Sequence, residues 1–304
     1  MTDMRVELGP VELRTPLIGA CGTVGSVIEF AAVTDLSVYG AAVAKSVSGE
    51  PWQGRVPPRI APTGIGMLNG IGIQNPGIDE WARTVGPELP TLPVPVWGSA
   101  VGNTAAEFAK VATGLAGAGV AAIEVNLSCP NLEGEKMFAL DPVAAAEVVA
   151  EVARAVGIPV GAKLSPNSED IVAIADAVAT AGADWVVLTN TAWGAGFDTE
   201  TRRPLLSGVV GGYSGSPVKP LALRCVWEVS QAFPTLPIVG CGGINAGTDV
   251  AEFLLAGASA VAIGTAHFAE PRAGVRILRE FRKYCKRHGL GTASELTGGA
   301  IPWQ

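Results

Sequence analysis

Charge is scarce in this chain. Of 304 residues, 16% are Asp, Glu, Lys or Arg, against 48% hydrophobic. That composition excludes a disordered polymer. The 21 basic and 28 acidic residues leave a formal charge of −7, which argues against a nucleic-acid-binding surface. Long apolar runs are also missing. Each is broken by Gly, Pro, Asn or Lys, so no segment is expected to span a bilayer. The N-terminus alternates through Asp3 and Arg5 and shows no signal-peptide stretch. Cysteine is sparse and odd in number: five residues, at 21, 129, 225, 241 and 285, with no CxxC pair. That pattern favours free thiols in a reducing cytoplasm over a disulfide or zinc framework, and no metal site is expected. Histidine is reduced to His267 and His288, which leaves little for a Cys–His nucleophile. Neither a GxxxxGK phosphate loop nor HExxH occurs, and Gly64-Ile65-Gly66 lacks the third glycine of a dinucleotide fingerprint.

What is abundant is glycine and proline, 39 and 22 residues, and they recur at matching places. Ala118-Gly119, Ala181-Gly182 and Ala256-Gly257 each precede a short apolar run: 122–126, 185–190 and 260–265. A small residue and Gly close a helix there, and a doubly buried parallel strand follows. Pro95, Pro159 and Pro237 open a second set of strands that alternates with the first. With 17–19 and 41–44 this makes eight strands in a βα repeat, pointing to a (β/α)8 TIM barrel; a doubly wound open sheet is the structural alternative. Helices are expected after Thr104, after the N-cap pair Asp141-Pro142, after Ser168 and after Thr248. Residues 5–13 read as an N-terminal β-hairpin around Gly9-Pro10. The expected organisation is one domain over residues 1–304, with two long Gly/Pro-rich loops at 49–90 and 197–217.

Active sites of such barrels lie at the C-terminal ends of the strands. Lys45-Ser46 follow strand 2, Asn126 to Asn131 follow strand 4, Lys163 ends strand 5 and Asn190-Thr191 follow strand 6. Gly240-Cys241-Gly242-Gly243 and Gly264-Thr265 end strands 7 and 8, where exposed backbone amides can cradle a phosphate. Lys45 and Lys163 emerge from buried strands and need an anion; a salt bridge to Glu124 is the plainer reading. Asn69, Asn126, Asn131 and Asn190 offer the mixture of donors and acceptors that a ring with amides and a carboxylate requires. Cys129 emerges from a strand end and suits proton abstraction; Cys21, Cys225, Cys241 and Cys285 read as packing residues.

The ordered set Ala20-Cys21-Gly22-Thr23, Lys45-Ser46-Val47, Gly66 to Gly77 (MLNGIGIQNPG from Met67), Asn126 to Asn131, Lys163 to Asn167, Asn190-Thr191, Ser214-Gly215, Lys219-Pro220, Cys241 to Ile244 and Gly264-Thr265 resembles dihydroorotate dehydrogenase over residues 5–285. The resemblance implies an FMN-containing barrel that oxidises dihydroorotate to orotate in pyrimidine synthesis. Cys129 would take the proton from substrate C5 while hydride passes from C6 to flavin N5. Lys45 would bridge flavin and substrate. Asn69, Ile71, Gly72, Ile73, Asn126, Asn131, Asn190 and Thr191 would contact substrate. Ala20, Gly22, Lys45, Ser46, Ser99, Asn126, Lys163, Gly215, Gly242, Gly243, Gly264 and Thr265 would hold FMN, with Lys163 at its N1–C2 edge and Gly243 and Thr265 at its phosphate. A cysteine base points to class 1, and class 2 carries a membrane-associating N-terminal extension not seen here. Ile71 to Gly77 and Gly211 to Pro220 look like class 1B, whose catalytic subunits pair with a subunit bearing FAD and a 2Fe–2S cluster; a homodimer is also implied. Four features depart from the pattern: Cys21 for Ser, Ser99 for Asn, the bulk of Trp193, and Glu133 to Met137. An FMN enzyme acting on a related dihydropyrimidine or cyclic amide is therefore the enzymatic alternative. A phosphosugar aldolase or isomerase is the non-redox one, and a catalytically idle interaction subunit the third.

Overall fold

The computed structural model describes residues 2–127 and 137–301. Eight parallel strands close into a barrel in sequential order: β1 (Leu17–Gly19), β2 (Ala41–Val43), β3 (Val96–Ala100), β4 (Ala122–Asn126), β5 (Val160–Lys163), β6 (Trp185–Leu188), β7 (Ile238–Cys241) and β8 (Ala260–Ile263). β8 returns to β1 through Val261↔Leu17 and Ile263↔Gly19. The open-sheet alternative is thereby excluded. The hairpin expected at the N-terminus is present, pairing Val6↔Leu13 and Leu8↔Val11.

The repeats found in the sequence work as local punctuation. Gly119, Gly182 and Gly257 take φ of 96°, 108° and 113°, ending helices Ala105–Gly117, Ile171–Thr180 and Gly247–Leu255 in conformations that favour glycine. Thr104 caps the first of these through the Glu107 N–H, and Asp141 caps Pro142–Ala155 through Val143 and Ala144. Two expected caps are corrected. Asp170, not Ser168, accepts from Ala173 N–H and starts helix 171–180. Thr248 lies within helix 247–255; Asp249 reaches back to the Asn245 and Ala246 N–H groups instead. In both, a carboxylate takes the role assigned to a hydroxyl, a choice also favoured by the helix dipole.

Inside the barrel the side-chain period of two sorts residues into layers. Near the strand starts, Trp97 and Trp185 pack with ring centroids 4.9 Å apart, and both are essentially fully buried. They plug the lower end. Trp185 sits opposite Gly161 in register, and its indole occupies the space a Cβ at Gly161 would need. Above them come Ser99, Glu124 and Lys163, with Asn126 at the upper rim.

The two long loops are not structureless. Together with Ala192–Ala195, just before the second loop, they build a four-stranded antiparallel sheet in the order Ala192–Ala195, Val210–Gly215, Gly66–Asn69, Ile60–Thr63. The first loop also carries helix Ile78–Thr84. One face of the sheet turns Ile60, Met67, Asn69 and Ser214 toward the barrel mouth. On the other face Ala61, Leu68 and Leu206 form a small separate apolar cluster.

Replacing Gly161 by Ala should destabilise the protein by about 3 kcal/mol, the cost of overpacking a filled interior. The expected readout is a lower urea midpoint at unchanged m value; a midpoint equal to wild type would mean that the tryptophan plug yields easily.

Candidate active site

A cavity of about 460 Å³ opens between the C-terminal ends of the barrel strands and the lid sheet. Of the residues singled out from sequence, Ala20, Gly22, Lys45, Ser46, Asn69, Ile71, Ile73, Asn126, Lys163, Asn190, Thr191, Gly215, Gly242, Gly243, Gly264 and Thr265 line it. Gly72 does not. It turns away at φ 71°, where a Cβ would lie 2.6 Å from the Arg55 backbone nitrogen. Ser99 stands behind the wall, fully buried and bonded to Ser46 Oγ at 2.9 Å. Cys129 and Asn131 fall outside the described residues.

One side of the cavity is a chain of fixed amides. Asn126 Nδ2 donates to Ser46 Oγ at 3.0 Å, and Asn190 Nδ2 donates to Asn126 Oδ1 at 3.3 Å. Thr191 N–H donates to Asn190 Oδ1 at 2.7 Å. Each amide thus has a defined orientation, set by its neighbour. Asn69 reaches the same cavity from the lid, held by donation to Gly212 O at 3.3 Å.

Charge enters through two lysines. Lys163 is 6% exposed and lies 3.7 Å from Glu124, itself 2% exposed. The structural salt bridge considered from sequence therefore exists. It does not exhaust either group, because Lys163 lines the cavity while Glu124 Oε1 has no hydrogen-bond partner among the described residues. Burial disfavours the ammonium, but Glu124 outweighs it and raises the Lys163 pKa above the ordinary lysine value. Burial pushes the Glu124 carboxyl up and Lys163 opposes this. We assign the charged pair, because each ion is the other's only ionic partner among the described residues. Lys45 also lines the cavity and makes no side-chain ion pair or hydrogen bond to a described residue.

The opposite end is lined by backbone. Gly242 and Gly243 take φ of 135° and 76°. A Cβ on Gly243 would lie 2.6 Å from Lys219 Cβ, so the turn after β7 requires glycine. The N–H groups of Gly243, Ile244 and Thr265 find no acceptor among the described residues, and all three residues line the cavity. Unpaired donors of this kind suit an anionic group.

Sequence reading missed part of the wall. Cys241 packs in the core and Cys21 against it, as read, but both also line the cavity. Cys21 Sγ lies 3.3 Å from Ser46 Oγ. Burial pushes the Cys241 thiol pKa up, with Lys163 opposing, which keeps it protonated. The signal was available: Cys21 follows β1 directly and Cys241 ends β7. Cys225 and Cys285 do pack in the core. Met67 and Ser214 also line the cavity, from lid strands that the sequence did not reveal.

A closed parallel barrel with cations, oriented amides and free backbone donors at its C-terminal mouth defines a (β/α)8-barrel enzyme. Comparison with known proteins narrows this. The family model for dihydroorotate dehydrogenase matches residues 4–284. A protein of Geobacter sp. (strain M21) named "Dihydroorotate dehydrogenase B (NAD(+)), catalytic subunit" is 47% identical over 298 residues, covering 97% of each chain. One of the same name from Alkaliphilus metalliredigens is 41% identical over 297 residues, covering 97% of this chain and 98% of its own. Among solved structures, the dihydroorotate dehydrogenase of Eimeria tenella in complex with ferulenol superposes with a TM-score of 0.82. That alignment covers 98% of this chain and 88% of the other at 18% identity, a likeness of fold. The chain belongs to the dihydroorotate dehydrogenase family. It is an oxidoreductase.

Glu124→Gln should cost about 3 kcal/mol at neutral pH, since it strands a buried ammonium. The pH dependence should change sign of character. In the wild type the raised Lys163 pKa contributes stability that is present below the ordinary lysine value and lost only above it. In the variant burial, the largest influence on Lys163, acts without the opposing carboxylate and lowers that pKa. The unfolded chain then binds more protons over the window between the lowered pKa and the ordinary value, so stability should rise with pH there. Denaturant unfolding from pH 6 to 9 checks this; parallel curves for the two proteins would refute the ion pair as the governing interaction.

Proposed function

We propose that this chain is the catalytic subunit of a class 1B dihydroorotate dehydrogenase, a single FMN-binding barrel that oxidises dihydroorotate to orotate in pyrimidine synthesis. The observation that carries the reading is the pairing, in one cavity, of an amide-and-lysine end with a backbone-amide end. The residues fit FMN. Free N–H groups at Gly243, Ile244 and Thr265 suit its phosphate, and the buried Lys163 suits an electron-rich ring edge. When bound, FMN supplies the two-electron acceptor.

The chain's own residues supply the rest. Asn69, Asn126, Asn190 and Thr191 orient the substrate's carboxylate and ring amides, and their mutual hydrogen bonds fix them before substrate arrives. Lys45 offers a cation to the bound anion. Lys163 holds its proton against negative charge that develops beside it, with Glu124 keeping it charged. Cys129, outside the described residues, takes the proton from substrate C5. The lid sheet, with Ile60, Met67 and Ile71 facing the cavity, excludes water.

The relatives' name supplies a partner: a "catalytic subunit" of an NAD(+)-type enzyme implies an electron-transfer subunit. By resemblance that subunit carries FAD and a 2Fe–2S cluster, and this chain forms a homodimer. Among the described residues no helix is long and apolar enough to cross a membrane. A related dihydropyrimidine is the second candidate substrate, favoured by Cys21, a departure from the pattern that the resemblance implies and a residue lining the cavity.

The purified protein should be yellow, and anaerobic dihydroorotate should bleach it while dihydrouracil does not. Bleaching by dihydrouracil alone would replace the substrate assignment. Cys129→Ala should retain flavin yet slow flavin reduction at neutral pH by at least about 10²-fold; unchanged stopped-flow kinetics would remove Cys129 from the proton transfer.

A further inference from the structure

His267 is not used by the reaction above, yet it is one of only two histidines and is 3% exposed. It sits on the turn of helix Ala266–Ala269 that follows β8, packed against Phe30 with centroids 4.8 Å apart. Both ring nitrogens are engaged, and their roles can be worked out. Thr23 Oγ donates its single proton to Ala20 O at 2.9 Å. Its contact with His267 Nδ1 at 3.1 Å must therefore be acceptance, so Nδ1 carries the proton. Nε2 is then the acceptor, and it receives the Tyr39 hydroxyl at 2.8 Å. The Tyr39 oxygen packs against the backbone of Gly274, in the first turn of helix Ala273–Arg287. The relay runs in one direction, from the Tyr39 hydroxyl through the imidazole and Thr23 to the Ala20 carbonyl. Burial holds the imidazole neutral, with its pKa lowered to about 4. The Tyr39 hydroxyl occupies the space that a Cβ on Gly274 would fill.

The relay ends on the cavity. Ala20, Thr23, Gly264, Thr265 and Ala266 line it, and the Ala20–Thr23 turn lies over Gly264, where a Cβ would meet Ala20 Cβ at 3.6 Å and Thr23 Cγ2 at 3.7 Å. Backbone joins the bases of the two walls, where Ala20 N–H donates to Ile263 O at 2.8 Å, while the Thr23 backbone N–H bonds within its own turn, to Ala20 O at 3.3 Å. Among the described residues, the side-chain bond from His267 is what ties Thr23 itself to the segment after β8.

We infer that His267 is a positioning residue for the cofactor: acting through Thr23, it holds the turn after β1 against the turn after β8 so that both present a fixed wall to FMN. This rests on the FMN reading above. The test is flavin release from the purified holoenzyme on serial dilution, followed by recovery of flavin fluorescence, which gives a dissociation constant independent of turnover. His267→Leu should raise it about tenfold, the loss of one well-placed hydrogen bond. His267→Asn should stay within about threefold of wild type, because Asn Nδ2 can take the place of the imidazole Nδ1–H and still donate to Thr23. Thr23→Val, at a half-buried position that tolerates an isostere, should reproduce the tenfold loss even if His267→Leu fails to fold. Wild-type affinity in Thr23→Val, or equal weakening in His267→Asn and His267→Leu, overturns the relay while leaving the FMN reading intact. A wild-type protein that binds no flavin overturns both.

Discussion

The Lys163–Glu124 pair is the interaction on which the site depends. The interior of an eight-stranded barrel is about wide enough for its own side chains to fill, so a charge placed there is best met by a counter-charge on a neighbouring strand. Lys163 and Glu124 stand on adjacent strands β5 and β4, one layer above a tryptophan plug that shuts the lower end. The pair is loose at 3.7 Å and leaves a carboxylate oxygen without a hydrogen bond among the described residues. Good ion-pair geometry would have neutralised the ammonium locally. An incomplete pair keeps a charged lysine facing upward, into the cavity.

Around that charge the polar groups are arranged by one another. Ser46 Oγ contacts Cys21, Ser99 and Asn126, so two strands and one turn converge on a single hydroxyl. Two of the four features read from sequence as departures from the pattern, Cys21 and Ser99, are both partners of that hydroxyl.

The barrel was legible because its signals are local. Proline at strand entries and Ala-Gly at helix exits act through the conformation of single residues, and they held at Gly119, Gly182 and Gly257. The strand-end rule placed Lys45, Asn126, Lys163 and Asn190 in one cavity. It would have placed Cys21 and Cys241 there too, had the general tendency of cysteine to pack not been preferred. The lid was not legible. Its strands are rich in glycine and proline and cover the barrel with only a three-residue buried cluster behind them, so no hydrophobic period marks them. The position of Gly72 was not legible either: its left-handed turn packs backbone against Arg55, a contact that no side-chain pattern can announce.

The lid joins segments from distant parts of the chain: Asn69 bonds to Gly212, 143 positions away. Seven of the eight barrel pairings join sequence neighbours, and the eighth, β8 to β1, spans even more of the chain than the lid does. Closing such loops carries an entropic cost that the pairing of adjacent βα units does not. The ring of strands and the roof over its mouth therefore both depend on contacts between remote segments, and the site is complete only when distant parts of the chain have met.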